Sequence, residues 1–295
     1  MDPHAAEPFG EALIAPAALV DESVPQHAIG HRPDHVPTLV LRHTELLCLR
    51  GPGRHHGHPR QTLAPYLLEL AGGPGTLGAI WSQLVGPTGT VLLSDIAPGM
   101  VEMARRRNAV FKNVEVAVLD ASAIDRPDGS FDVVACRMGL MFTPDPSAAL
   151  AEIRRILAPA GRVGALTWAG MEHNPWMTCV GMAAMMNGLV SGGPPVGPGS
   201  IFSLGDPAEL ESLVKGAGFV DVKVEEFAIT FRADDIDSHV DLVSSLAGPL
   251  AAAFEAAAPE QHAAVRRTAA GLAAQYVTDD GVEIPGRALL LTGRV

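Results

Sequence analysis

The sequence predicts an α/β fold, a mostly parallel sheet with helices on both faces. Two observations carry that prediction. From Tyr66 onward, short apolar runs alternate with helix-like segments, the rhythm of parallel strands joined by crossover helices. A glycine-rich turn, "AGGPGTLG" (Ala71 to Gly78), joins the first apolar run to the first helical segment. Composition agrees: 295 residues, 47% hydrophobic and 5% aromatic with abundant Ala and Gly, suit a helix-rich α/β protein better than a β-sandwich.

The elements follow in order. Tyr66–Ala71 reads as a strand and Thr76–Val85 as a helix. Val91–Ser94 is the second strand. Pro98–Val110 is a helix with Pro in its first turn, where a missing N–H costs little. Val114–Leu119 and the buried "FDVVAC" (Phe131–Cys136) are strands. Asp145-Pro146 caps a helix running to about Leu157, and "APAGR" turns into the strand Val163–Trp168. The rhythm then breaks into an apolar helix, "WMTCVGMAAMMNGLV", and a loop, "SGGPPVGPGS". It resumes with a helix from Asp206-Pro207 to Lys215 and a strand at Val220–Phe231. A helical block at 236–276 and a final strand, "ALLLTGRV", close the chain. The segments 170–205 and 236–284 are expected to form a lid over the carboxyl edge of the sheet, where such folds bind ligands.

Residues 1–60 differ from the rest and are expected to be partly disordered or partly helical, leaving 61–295 as the principal domain. They carry eight of the eleven histidines. His55, His56 and His58 could hold a metal, but no acid or cysteine completes a set, so a solvated segment is the expected reading and no metal is assigned. Cys48, Cys136 and Cys179 have no paired spacing, which fits a reducing cytoplasm. The net charge of −12 argues against bulk nucleic acid as a partner. No apolar stretch reaches the ~20 residues of a membrane span. The expected partner is a small-molecule substrate, with a homodimer left open.

The glycine turn sets the main question. Gly73, Gly75 and Gly78 match G-x-G-x-x-G after a strand, and Asp95 lies 20 residues after Gly75, which suits NAD. Other features favour S-adenosylmethionine. Glu69 ends the strand just before the loop, where it would repel a pyrophosphate but attract an ammonium and a sulfonium. Asp95, at the end of the second strand, can accept from both ribose hydroxyls of either cofactor. Asp120, at the end of the third, can accept from an adenine amine. No second mononucleotide-binding half follows.

Residues 66–168 resemble the class I S-adenosylmethionine-dependent methyltransferases. The likeness extends to the ubiquinone/menaquinone-biosynthesis-type C-methyltransferases and, through "GDPAELESLVKGAGFVDVKVEE", over residues 66–295. Glu69, Ala71, Gly73 and Gly75 match the family's acid-x-(Gly/Ala)-x-Gly-x-Gly loop. "DIAPGMVEMARRR", "LDASAI" and "DGSFDVVACRMGLMFTPDPSAALAEIRRILAPAGRV" resemble its later motifs, with Ala160 where a second Gly is common. The resemblance implies a Rossmann-like seven-stranded sheet with its last strand antiparallel. It also implies a cofactor site of Glu69, Ala71, Gly72, Gly73, Gly75, Asp95, Ile96, Met100, Asp120, Ala121 and Arg137. In it Gly73 and Gly75 let backbone approach the methionine portion, and the helix from Thr76 offers N–H groups to its carboxylate. Ile96 and Met100 pack on the base, and Ala121 meets adenine through its backbone.

Arg137 and Met138 leave the fourth strand toward cofactor and substrate, with a surface salt bridge as the other reading of Arg137. Met138, His173 and Trp176 are the candidate substrate contacts, and His173 the one candidate proton acceptor, a role that competes with a loop histidine facing water. Cys136 reads as a buried hydrophobe rather than a nucleophile. Asp120 has a second reading as a helix N-cap. The expected activity is methyl transfer to a small apolar or aromatic molecule. The alternatives are an NAD-dependent oxidoreductase and a non-catalytic S-adenosylmethionine-binding protein.

Overall fold

The structure is a computed structural model that describes residues 65–191, 197–246 and 248–295. The expectations for residues 1–60, His55, His56 and His58 among them, lie outside these. The described residues form two compact units. One holds 65–175, 197–231 and 285–295, and the other holds 176–191 and 232–284.

The first unit is built on β1 (Tyr66–Leu70), α1 (Gly78–Val85), β2 (Thr90–Asp95), α2 (Pro98–Arg107), β3 (Val114–Val118), β4 (Phe131–Arg137), α3 (Pro146–Ile156) and β5 (Leu157–Trp168). α4 (Pro175–Met186) begins at the boundary between the units. α5 (Pro207–Gly216) and most of β6 (Val220–Ala233) complete the first unit. The second holds α6 (Ile236–Leu246), α7 (Gly248–Ala256), α8 (Pro259–Ala273) and β7 (Val277–Thr278), and β8 (Gly281–Arg294) passes from it into the first.

The strand order is β3-β2-β1-β4-β5-β8-β6, with β7 pairing β8 off that path, so the sheet has eight strands. The expected seven form the continuous path. The eighth comes from a short hairpin, Val277–Thr278 against Gly281–Val282, whose "DDG" turn is a hairpin signal. β1 runs parallel to β2 and β4, β2 to β3, and β4 to β5, while β8 is antiparallel to β5 from Arg162↔Arg294 to Trp168↔Ala288. Strands flanked by helices on both faces must be apolar throughout, and β1 and β2 are buried at nearly every position. One core cluster joins α1 to the sheet: Leu77, Trp81 and Val85 pack on Leu67, Val91, Leu93 and Ala135.

The helix starts follow the predicted chemistry. Asp145 Oδ1 accepts from Ala148 N at 3.0 Å, and Asp206 Oδ1 accepts from Ala208 N and Glu209 N at 2.8 and 2.9 Å, each with Pro in the next position. α1 begins at Gly78 rather than Thr76 because the residues before it are spent in turns. Asp120 caps no helix; its Oδ1 accepts from Ser122 N (2.8 Å) and Ser122 Oγ (2.6 Å) in a side-chain turn. β5 starts at Leu157, ahead of the expected Val163, with its register to β4 shifted between Phe131 and Val133.

Ala160 sits in that shifted segment at φ +65°, a region where a Cβ crowds the backbone. Ala160→Gly is therefore expected to match or exceed the wild-type stability, because relief of about 1 kcal/mol of strain offsets the entropy glycine adds to the unfolded chain. The control is the exposed helical Ala151→Gly, where the same change should cost about 1 kcal/mol. Equal losses in urea unfolding at both positions would contradict the reading.

In the second unit, His239 on α6 is 1% exposed. Its Nε2 lies 2.6 Å from Trp176 O, and since a carbonyl only accepts, Nε2 carries the proton and Nδ1 is left bare and unpartnered. Burial holds this imidazole below the usual histidine range. Among the described residues no helix is long and apolar enough to cross a membrane.

Candidate cofactor site

The strand order reverses between β1 and β4, and their carboxyl ends frame the crevice that open α/β sheets use for ligands. β1 delivers the glycine loop there. β4, whose Cys136 pairs with Leu70, delivers Arg137 alongside it.

The loop is fixed by its own backbone and by the end of β2. Gly72 N–H donates to Ser94 O at 2.8 Å and Gly73 N–H to Asp95 Oδ2 at 2.9 Å. Gly75 N–H turns back on Gly72 O at 3.1 Å, and Gly78 N–H on Gly75 O at 3.2 Å. Gly73 and Gly75 have φ of +55° and +72°, where glycine is at home. A Cβ at Gly73 would meet nothing within 4 Å, so open space adjoins the loop there. Behind the loop, Cβ atoms on Gly75 or Gly78 would collide with Asn108.

Asn108 is the positioning residue that sequence reasoning missed. It is 3% exposed, and its Nδ2 donates to Gly75 O and Ala104 O, both at 2.9 Å. An Asn just past a helix end is a familiar stop signal, but nothing local says that its amide turns inward to hold a loop 33 residues earlier.

Three charged side chains converge on the loop. Glu69 is 1% exposed, and its Oε2 has no hydrogen-bond partner. That oxygen lies against Gly72, where an added Cβ would sit 3.2 Å away. Burial pushes the Glu69 carboxyl up to about 7, while the nearby Arg137 guanidinium and Trp81 indole favour the anion and Asp95 opposes it. Trp81 Nε1 itself makes no hydrogen bond of regular geometry, so it acts on Glu69 through proximity alone. Asp95 is 4% exposed, and besides the bond from Gly73 its Oδ1 accepts from Ala97 N at 2.9 Å. Arg137 is not the surface salt bridge of its second reading. It is half-buried, its Nη2 donates to Thr76 Oγ1 at 2.9 Å, and desolvation lowers its pKa while Glu69 raises it.

The other predicted residues are placed as follows. Ala71 and Met138 both take φ values of the left-handed region, +52° and +57°, an uncommon strain that marks both loops at this edge. The methyl of Ala71 occupies the space that Gly139 leaves empty. Cys136 is buried, and burial raises its thiol to about 12, in keeping with a packing role. Ile96, at the end of β2, is 58% exposed, an apolar side chain held out at the edge. Met100 and Ala121 are half-buried and Asp120 exposed. His173 is exposed in a 3-10 turn with its Nε2 3.5 Å from Glu172 Oε1. Trp176 is 2% exposed and is a core side chain of the second unit, not an open surface for substrate.

These residues fit S-adenosylmethionine. The open space at Gly73 leaves its backbone uncovered, and the unpartnered Glu69 oxygen suits a positive group. Each Asp95 oxygen holds one N–H and keeps capacity to accept another donor. A separate cleft of about 650 Å³, lined by Asp128, Gly129, Arg154, Arg155 and Pro159, opens at the amino edge of β4, away from this chemistry.

Residues 67–161 match the family model described as a methyltransferase domain. The ubiquinone/menaquinone biosynthesis C-methyltransferase UbiE of Pseudoalteromonas translucida is 37% identical over 131 residues, 41% of this chain and 52% of that protein. Its counterpart from Escherichia coli is 42% identical over 100 residues, 33% of this chain and 40% of that protein. The chain thus spans about half or less of the length of these relatives. The YcgJ protein of Bacillus subtilis shares the fold, with a TM-score of 0.53 over 79% of this chain and 92% of that one at 16% identity. Residues 67–161 thus match a methyltransferase domain, and this part of the chain is similar to the ubiquinone/menaquinone biosynthesis C-methyltransferases.

Proposed function

We propose that the protein transfers a methyl group from S-adenosylmethionine to a small apolar or aromatic molecule. The observation that carries this reading is Glu69, a buried acid with an unpartnered oxygen directly beneath the glycine loop. A pyrophosphate there would lie against a second, only partly compensated anion, whereas a cationic ligand offsets its charge. The names of the relatives support a ring carbon of a quinone-type substrate as the acceptor.

The bound cofactor supplies an activated methyl on a sulfonium, which is already a good leaving group. The chain's share is positioning. Asp95 accepts from the ribose hydroxyls, and its bonds from Gly73 and Ala97 hold it in place. Ile96 and Met100 cover the base, with Asp120 and Ala121 at its polar edge. Gly72, Gly73 and Gly75 bring backbone close to the methionine portion, and Ala71 and Met138 shape the two loops that meet there. Fixing the acceptor in line with the methyl gives effective molarities of ~10⁵ M or more, so the reaction needs little beyond alignment and exclusion of water.

The test is calorimetric titration of the full chain with S-adenosylmethionine, S-adenosylhomocysteine and NAD. Micromolar binding of the first two and none of NAD is expected. Binding of NAD alone would turn the assignment to an oxidoreductase, and tight binding without methyl transfer to any quinone or phenol tried would favour a non-catalytic binding role.

A further inference from the structure

We infer that Asn108 sets the affinity of the cofactor site from behind the glycine loop, by locking the loop and α2 into one frame before the ligand arrives. The inference rests on the proposed cofactor reading and deepens it. Asn108 is a positioning residue here, acting through Gly75 rather than on the ligand.

Gly73 and Gly75 both sit at positive φ, and the freedom that permits this also lets a glycine loop wander. The turns from Gly75 N–H to Gly72 O and from Gly78 N–H to Gly75 O bind the loop only to itself. Two side chains, one at each end of α2, tie its glycines to that helix. Ahead of α2, Asp95 accepts from Gly73 N and Ala97 N, at 2.9 Å each. Behind α2, Asn108 Nδ2 uses both of its hydrogens, one on Gly75 O and one on Ala104 O, again at 2.9 Å each. Asn108 is itself fixed, because its backbone N–H donates to Ala104 O at 3.0 Å and its carbonyl accepts from Phe111 N at 3.0 Å. Burying an amide is unfavourable unless its bonds are made; here both are made, and one of them holds a loop carbonyl. A loop ordered beforehand loses less freedom when the ligand binds.

The packing around Asn108 is reciprocal. A Cβ on Gly75 would lie 2.5 Å from Asn108 Nδ2 and 2.9 Å from Ala104 Cβ, so the loop backbone rests directly on α2. A Cβ on Gly78 would collide with Asn108 Oδ1, and the three atoms nearest to it all belong to Asn108. Gly78 is not at positive φ. It must therefore be glycine because Asn108 fills its side-chain space, not because its backbone demands one. That pairing provides a way to separate the space Asn108 fills from the hydrogen bond it makes.

The experiment titrates the full chain with S-adenosylhomocysteine and follows amide hydrogen exchange in the loop. Asn108→Ala should weaken the ligand by about 3- to 10-fold, the range of one neutral hydrogen bond. Exchange at Gly75 and Gly78 should quicken in the free variant, slow again at saturation, and stay unchanged in β1 and β2. The double variant Asn108→Ala with Gly78→Ala puts a methyl back into the vacated space. Its urea stability should recover towards wild type while its affinity stays low. It carries the test if the single variant does not fold. Recovery of wild-type affinity together with stability would make Asn108 a filler of space and overturn the inference. So would an Asn108→Ala affinity equal to that of wild type, or exchange that rises evenly across the sheet. Wild-type protein that binds no S-adenosylhomocysteine would remove the cofactor reading itself, a failure distinct from these.

Discussion

Asp95→Ala is expected to remove measurable cofactor binding while leaving a folded, less stable protein. The carboxylate does two jobs at once. It holds Gly73 N–H and Ala97 N–H at 2.9 Å each, and it is the acceptor proposed for the ribose hydroxyls. Hydrogen bonds to a charged group contribute about 1.5–3 kcal/mol each, so losing two to ribose costs about 4 kcal/mol, or roughly a thousandfold in affinity. The two N–H groups left without acceptors add a stability loss on the order of 2 kcal/mol. Calorimetry with S-adenosylhomocysteine and urea unfolding measure the two effects separately. Affinity within tenfold of wild type would exclude Asp95 from the ribose site.

Glu69→Gln should do the reverse to stability. The ordinary glutamate pKa of 4.5 applies in the unfolded chain, and burial raises it to about 7 in the folded protein. The folded state therefore holds its proton longer. Below pH 4.5 both states are protonated and the group is neutral in its effect. Between 4.5 and 7 the unfolded state releases the proton first, so stability falls as pH rises, by up to ~1.4 kcal/mol per unit and ~3 kcal/mol in total. Gln keeps the shape and never ionises. The variant should match wild type near pH 4.5 and exceed it at pH 8 by up to ~3 kcal/mol in the absence of cofactor, while binding cofactor less well. The groups that face this carboxyl are Arg137, Trp81 and Asp95, and Arg137 limits the gain by partly compensating the anion. An unchanged difference in urea midpoint between the two pH values would show that folding does not raise the Glu69 pKa. Opposite signs for stability and binding would mark Glu69 as strained for the sake of its ligand.

Much of this was legible before any coordinates. The first five strands announce themselves as short apolar runs, most of them stopping at Gly or Asp, and the acids at the ends of β1 and β2 lie at the carboxyl edge of the sheet. Asp145 and Asp206 cap the helices their Asp-Pro pairs predict. What escaped depends on partners distant in sequence. Asn108 reads as a helix stop until its amide is seen on Gly75 O. Arg137 reads equally as buried or solvated, because only the pairing of β4 with β1 turns it against Thr76. β8 was expected from Ala288 onward, since Pro285 and Gly286 look like loop, yet it starts at Gly281 through its hairpin with β7. Trp176 is expected at the substrate because it lies where the chain enters the expected lid, but a large apolar ring is equally at home in a core, and it is buried at 2% exposure.

The interior place of β8 has a consequence for synthesis. β8 is the last strand in sequence, yet it is inserted between β5 and β6. While the chain is still being made, β5 has an open edge and β6 has no neighbour to join. A nascent polypeptide can assemble β1 to β5 on the ribosome, but residues 220–233 wait for 281–294 before they are covered. That interval exposes unpaired backbone on the growing chain, and slow translation past residue 233 would prolong it.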